Sequence, residues 1–532
     1  MTATQRFALL ATGLGLFMIY LDALIVNVAL PAIQADFHIG EAGLQWAVTT
    51  YSIGMAVAIM SGATLADIHG RRKLYVAGIA LFVASSIACG LAPTLEVLNF
   101  ARTIQGIAAA TVNVTSLALV SAAFPEPKQK ARAIGIWTAI ASTALAIGPA
   151  LGGVLVQVSG WRSIFLVNVP IGIVAVILTL RFVGESRDVR ERRFDIPGQL
   201  LFAVAVGAFA YAVIEGPKIG WLSAQSLALF ALAATALVAF VRCEKRSDDP
   251  MMDLALFHDR TYSLAILTIF SVLFSIYGML LVTTQYLQNV RGYSPSDTGL
   301  LLLPYSATMT IVSLKAGRLV GKVGSRRPIL FGLSSLIAGL AIMIASLDAS
   351  IVAVVAGLIF AALGCGLCLT PITSLAMTAV PPERAGMASG IMSAQRAIGS
   401  TVGFAVLGSI LAAWLSATLD RDLAAMLQDN VQRRDVVMAI INNANPRAYA
   451  AEIGPGRPIQ HESALLQDGI LLAADADFVQ GIRLALASAI GLLAVVLAAG
   501  AMWYPRHKEA IADAEREAAK LEKEEEGGPA EL

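Results

Sequence analysis

Between Phe7 and Leu30 the chain runs for 24 residues with a single charge, Asp22, and apolar stretches of similar length recur throughout the sequence. About 20 such residues, wound as a helix, cross the hydrocarbon core of a bilayer. Lipid offers a backbone amide no partner, so stretches of this kind must satisfy their own hydrogen bonds as helices. Only 14% of the 532 residues are charged and 57% are hydrophobic, where a soluble chain carries roughly 25% charged residues. The sequence therefore predicts an all-α polytopic membrane protein. Its first stretch is too long for a cleaved signal peptide and is followed at once by others.

Hydropathy divides the chain into about fourteen spans, near 7–30, 44–66, 74–92, 96–121, 133–157, 164–183, 199–215, 224–242, 262–285, 299–317, 329–347, 351–378, 387–414 and 479–503. Alternate short loops hold the cations: Arg71, Arg72 and Lys73; Lys128, Lys130 and Arg132; Arg187, Arg190, Arg192 and Arg193; Lys245, Arg246 and Arg260; Arg318, Lys322, Arg326 and Arg327. The loops between them offer Arg162, Lys218 and Arg291. By the positive-inside rule both termini are expected in the cytoplasm. Segment 416–477 is then an external loop, with an amphipathic stretch at Val431–Asn442 and a turn at Gly454-Pro455-Gly456. It reads equally as a cover over the external mouth or as a solvated linker. The tail His507–Glu526 alternates Glu, Lys, Arg and Ala in the manner of a solvent-exposed helix.

The chain also repeats itself. Gly135-Ile136-Trp137-Thr138-Ala139 aligns with Gly390-Ile391-Met392-Ser393-Ala394, Gly148 with Gly403, and Gly153 with Gly408. Leu65 and Gly70 match Leu319 and Gly324, while Leu16-Phe17-Met18-Ile19-Tyr20 matches Leu273-Phe274-Ser275-Ile276-Tyr277. Similar offsets at three places predict two pseudo-symmetric six-helix halves around a two-helix insert. The expected divisions are an N-terminal bundle at 1–183, a linker and insert at 184–242, a cytoplasmic linker at 243–261, a C-terminal bundle at 262–503 and a charged tail at 504–532.

Asp22 is costly where it stands, about 3 kcal/mol for a carboxylate at the centre of a spanning helix. Protonation removes that cost, and an acid that changes charge inside a membrane is what proton-coupled transport requires. Arg102 lies six residues into a span descending from the same side, at a depth of roughly 9–12 Å like that of Asp22. A guanidinium there favours the carboxylate while loss of water favours the neutral acid, a balance that a substrate can tip. A static structural ion pair is the alternative. Asn27, Asn113, Tyr277 and Gln285 are cavity candidates, each equally readable as an interhelical hydrogen bond. Arg396, about ten residues into its span, is a site candidate or a brace. Lys315 and Arg318 are expected to snorkel to the interface.

Other chemistries find little support. Cys365-Gly366-Leu367-Cys368 has a metal-site spacing but sits in an apolar run with no further ligands. His38, His69, His258, His461 and His507 all fall in predicted loops or the tail, so no nucleophile–base or metal cluster forms within the spans. No cofactor or metal is expected. No ring of charge or filter-like loop marks a channel.

Several stretches resemble the major facilitator superfamily. Ala63-Thr64-Leu65-Ala66-Asp67-Ile68-His69-Gly70-Arg71-Arg72 is similar to its loop signature G-x-L-A-D-R-x-G-R-R, departing at Ala63 and Ile68. Arg102-Thr103-Ile104-Gln105-Gly106 resembles its R-x-x-Q-G motif, associated with proton transfer. Gly148-Pro149-Ala150-Leu151-Gly152-Gly153 resembles the G-P-x-x-G-G motif of its exporting branch. The stretch from Gly160 to Gly172, Tyr286-Leu287-Gln288 with Gly292-Tyr293-Ser294-Pro295, and Gly386-Met387-Ala388-Ser389-Gly390 are similar to fourteen-span drug/proton antiporters. The resemblance implies two six-helix bundles rocking about a central cavity in the cytoplasmic membrane. It also implies proton-driven export of small amphipathic drugs, aminocyclitols and tetracyclines among them, by a monomer with no nucleic-acid partner. Asp22 and Arg102 would couple protons, and Asp67, Gly70, Arg71, Gly148, Pro149, Gly152 and Gly153 would form the conformational gate. Export of an endogenous lipid or metabolite is the runner-up.

Overall fold

The computed structural model describes residues 1–124, 126–186, 195–247, 252, 254–380, 385–424 and 464–504, which are almost wholly helical and contain no strand. In chain order the helices are α1 (Ala3–Phe37), α2 (Glu41–His69), α3 (Arg71–Gly90), α4 (Leu95–Ala123), α5 (Pro127–Ser159), α6 (Ser163–Leu166), α7 (Asn168–Phe182) and α8 (Ile196–Ile219). They continue as α9 (Ala224–Glu244), α10 (Arg260–Gln285), α11 (Pro295–Val323), α12 (Arg326–Ser346), α13 (Ile351–Thr378), α14 (Ala385–Leu423) and α15 (Ala464–Trp503). Thirteen helical stretches among the described residues are long and apolar enough to cross a membrane, with α6 and α7 forming one of them. The fifth predicted span is occupied by α5, a helix of 33 residues.

Hydropathy locates the hydrocarbon-embedded middle of a helix, and the helices overrun it. The 7–30 span is the centre of a 35-residue helix whose last turns carry Gln34 and Asp36. Residues 416–423 and 464–477, expected in the external loop, continue α14 and α15. The remainder of that loop, including Val431–Asn442 and Gly454-Pro455-Gly456, lies outside the described residues. So do the tail His507–Glu526 and the cluster Arg187, Arg190, Arg192 and Arg193.

Packing follows the repeat. Within the first seven helices α1 lies against α5 and α7, and α4 against α2 and α3; within the last six, α10 lies against α14 and α15, and α13 against α11 and α12. The two sets meet along two seams, α5 with α11 and α2 with α14. Helices α8 and α9 pair with each other, and α8 lies on both α2 and α14. Because successive helices alternate in direction, the turns at Gly40 and Gly70 mark opposite ends of the bundle, the Gly40 end and the Gly70 end.

The seams close at the Gly40 end. A Cβ added to Gly153 would collide with the carbonyl oxygen of Pro295 and stand 2.7 Å from Ser296 Cα, while one on Gly299 would strike the Pro149 carbonyl. Ser296 donates to Gln157 beside them. On the other seam a Cβ at Gly408 would lie 2.5 Å from Gln45 Nε2. Gln288 Nε2 donates to the Val28 carbonyl at 2.9 Å, tying α10's extension to α1. The sequence pair Gly153 and Gly408 thus occupies equivalent places, one in each seam.

Candidate functional site

Asp22, midway along α1, has no solvent exposure, and Arg102 on α4 has 1%. Arg102 Nη1 meets Asp22 Oδ2 at 2.5 Å. The other carboxylate oxygen accepts from Gln105 Nε2 and from Asn168 Nδ2, each at 3.0 Å. Both amides also donate to Ser86 Oγ, at 2.8 and 3.0 Å. Arg102 donates further to Gln105 Oε1 at 2.7 Å and to the Ala47 carbonyl at 3.3 Å. Its guanidinium lies 4.3 Å from the Tyr51 ring centroid and 5.6 Å from that of Phe165. Five helices, α1, α2, α3, α4 and α7, therefore converge on one carboxylate.

Local sequence explains the convergence. Arg102 and Gln105 are three apart, so both project from one face of α4. A Gly at position 106 lets α4 approach α2 so closely that a Cβ there would collide with the Tyr51 carbonyl. The reversal between α5 and α7 passes through Gly160, whose φ of 78° suits a residue without a Cβ. That turn delivers Asn168 as the first residue of α7.

A carboxylate facing a guanidinium and two amide donors is well matched as an anion. It is also sealed from water, so a proton can reach it only when the helices around it move. Removing one partner of such a buried pair costs about 3–5 kcal/mol, because the other charge is left uncompensated.

The expected Asp22–Arg102 pair is thus present, with Gln105, Asn168, Ser86 and Tyr51 as further members. Their signal in the sequence was a set of polar residues inside apolar helices, but their meeting depends on which helices are neighbours. The cavity candidates do not converge in this way. Asn27 is buried and donates to its own helix, to the Leu24 carbonyl at 3.2 Å. Tyr277 is half-buried with its ring 5.7 Å from that of Phe404, edge to face. Gln285 is buried, and Asn113 is half-buried on α4. Arg396 reaches α13, donating to Thr373 Oγ1 at 2.7 Å.

The gate residues divide among different surfaces. Gly152 faces α1, where a Cβ would stand 2.6 Å from Ile25 Cγ1, whereas Gly153 faces α11 across the seam. Gly148 has ordinary room, its nearest neighbour Leu24 Cβ at 3.5 Å, so the tight approach expected there belongs to Gly152 and Gly153. Pro149 contributes the carbonyl against which Gly299 packs. At the Gly70 end the turn has φ 102° at Gly70, and Glu185 accepts from the backbone N–H of Arg72 at 2.9 Å and of Lys73 at 3.3 Å. The Arg71 N–H donates to the Ser186 carbonyl at 3.0 Å. Asp67 stands in the last turn of α2, and its side chain lies outside the described ones.

Residues 12–404 match the family profile of the Major Facilitator Superfamily. "Multidrug resistance protein Stp" of Mycobacterium tuberculosis is 60% identical over 95% of this chain and 93% of its own length. "Drug efflux pump JefA" of the same organism is 47% identical over 95% and 99%. Among solved structures, a bacterial homologue of the human lysosomal transporter Spinster superposes with a TM-score of 0.65 at 17% identity, covering 95% of this chain and 100% of the other. The chain belongs to the major facilitator superfamily and is a multi-pass membrane transporter, not an enzyme.

Proposed function

We propose that this major facilitator exports small amphipathic drugs from the cell in exchange for protons, with Asp22 as the proton-carrying group and Arg102 as its counter-charge. The observation that carries the reading is the sealed carboxylate, held at once by a guanidinium and two amides from other helices. The names of the two mycobacterial relatives favour drugs as the cargo, and the resemblance of the motifs to drug/proton antiporters makes spectinomycin and tetracycline the first candidates.

In this reading the Gly70 end faces the cytoplasm, as do both termini. The Gly40 end is then external, and the close contacts of Gly153 and Gly299 with backbone and of Gly408 with the Gln45 side chain support reading this as an inward-facing state. The division into bundles at 1–183 and 262–503, with an insert between, belongs to the same reading. When the external seams open, a proton entering from outside neutralises Asp22. Arg102 then loses its anionic partner and the helices carrying the pair are free to shift relative to one another. Return of the proton to the cytoplasm restores the pair and the closed seams. Asp67, Gly70 and Arg71 stand at the inner end and would govern closure there. Arg396, Asn27, Asn113, Tyr277 and Gln285 remain the substrate candidates, and the transporter is taken to act as a monomer.

The test is drug accumulation in a susceptible host expressing the chain. Spectinomycin or tetracycline should accumulate less than in the empty host, and a protonophore should abolish the difference. An unchanged drug level without the protonophore would refute drug export, and export that survives it would refute proton coupling.

A further inference from the structure

We propose that α11 and α13 form a binding site for one anionic phospholipid of the leaflet at the Gly70 end. A trough of about 350 Å³ lies between these helices, with Lys315, Arg318 and Lys322 along α11 and Leu363 and Leu367 on α13. The three cations recur at i, i+3 and i+7, so they share one face of α11. None of them makes an ion pair or hydrogen bond with another described residue. Lys322 is beside the helix end at Val323, while Lys315 is 8 positions before it (323 − 315), about 12 Å deeper along the axis.

Apolar side chains beside the trough along each helix are exposed: Ile311 and Leu314 on α11 are each 52% exposed, and Phe360 on α13 is 44% exposed. A water-filled vestibule would not be rimmed in this way, whereas acyl chains require it. Three uncompensated cations on such a surface call for a fixed negative charge at headgroup depth. The deepest lining residues, Val312, Leu363 and Leu367, are apolar, and the three cations lie towards the helix end with Ala316 and Leu319 between them, a polarity profile that suits a diacyl lipid with an anionic head. A free phosphate would satisfy the cations and leave the exposed Ile311, Leu314 and Phe360 without a partner.

The site is separate from the Asp22 cluster, and its test does not depend on transport. Purified protein in nanodiscs containing phosphatidylcholine with a minor fraction of phosphatidylglycerol is released into the gas phase, and retained lipids are counted by native mass spectrometry. Wild type should keep one phosphatidylglycerol in preference to phosphatidylcholine. The variant Lys315→Gln/Arg318→Gln/Lys322→Gln should bind it about a hundredfold more weakly, each cation being worth about fivefold near a charged surface. The pair Lys245→Gln/Arg246→Gln, two cations at the same end, should retain the lipid. Equal retention by the triple variant with its helical content intact would overturn the site, as would indifference to headgroup charge. Displacement of the lipid by millimolar inorganic phosphate would assign the cations to a soluble anion instead. Should the triple variant fail to fold, Lys315→Gln and Arg318→Gln singly must each weaken retention.

Discussion

The two halves of the bundle are packed alike and filled differently. The match of Leu16–Tyr20 to Leu273–Tyr277 has an offset of 257 (273 − 16), which sets Met279 of α10 opposite Asp22 of α1 (22 + 257). Both residues are wholly buried. Around Asp22 stand Arg102, Gln105, Asn168 and Ser86; Met279 belongs to an apolar cluster that includes Leu336, Leu358, Ala361 and Leu493, and the buried polar residues one turn away from it on α10 are the uncharged Ser275 and Thr283. The second half thus shows that this arrangement of helices closes without a buried charge at that position. A buried ion pair is in any case weak grounds for stability, since apolar replacements of similar size are often neutral or better. The polar cluster of the first half is therefore not required by the packing scheme, which favours the proton-carrying role proposed for Asp22.

The largest effect that sharpens the contrast should come from Asp22→Asn. Proton-driven export should vanish, and the protein should also lose about 3–5 kcal/mol because Arg102 remains charged and buried without its counter-ion. Replacing both, as Asp22→Met with Arg102→Leu, makes the first half resemble the second. That double variant should melt nearer to wild type than Asp22→Asn does, yet pump nothing. Transport at the normal rate by either variant would break the comparison.

The reverse exchange, Met279→Asp, places a carboxylate in a buried position whose neighbours one turn away on α10 are the hydroxyls of Ser275 and Thr283 rather than a cation. A loss of about 3 kcal/mol or more is expected, read as a lower melting temperature in detergent. A variant as stable as the parent would mean that the second half tolerates charge and that the contrast between the halves is only one of composition.

A smaller effect separates glycines that the sequence treats alike. Gly153→Ala should push α5 from α11 and cost the Gly40-closed state about 1–3 kcal/mol, seen as faster labelling of a cysteine placed in that seam. Gly148→Ala should change labelling little, because its Cβ finds ordinary contact at 3.5 Å. The smallest expected change is Glu185→Gln, which weakens the cap on α3 and should cost about 0.3–1 kcal/mol in thermal stability.

Much of this was readable before any helix was placed. Asp22 and Arg102 could be paired from depth alone, because straight helices in a slab of fixed thickness convert sequence position into height. Asn168 could not, since its height is clear but its neighbour is not; only the packing of α7 beside α1 brings it to the carboxylate. The same limit explains Gly148, whose motif marks close approach somewhere on α5 without saying which face meets α1 and which meets α11. Asn27 shows the opposite case, a polar residue in a span whose amide is occupied by its own helix. The docking of α8 had no motif. Its polar anchors, Gln199 to the Val57 carbonyl and Glu215 to Trp46, are scattered singly through apolar sequence.

That helix makes the two seams mechanically unequal. On one side α8 is bonded to α2 through Gln199 and Glu215 and to α14 through the Val213 carbonyl, which accepts from Ser409 at 2.7 Å. Among the described residues the α5–α11 seam carries no such strap. Opening at the Gly40 end would have to stretch or carry α8 on the first side, while on the second it would break only the direct α5–α11 contacts, Ser296 to Gln157 among them, so the two flanks are held unequally. The bare seam is then the flank on which bilayer tension, thickness and lipid type have leverage over the cycle.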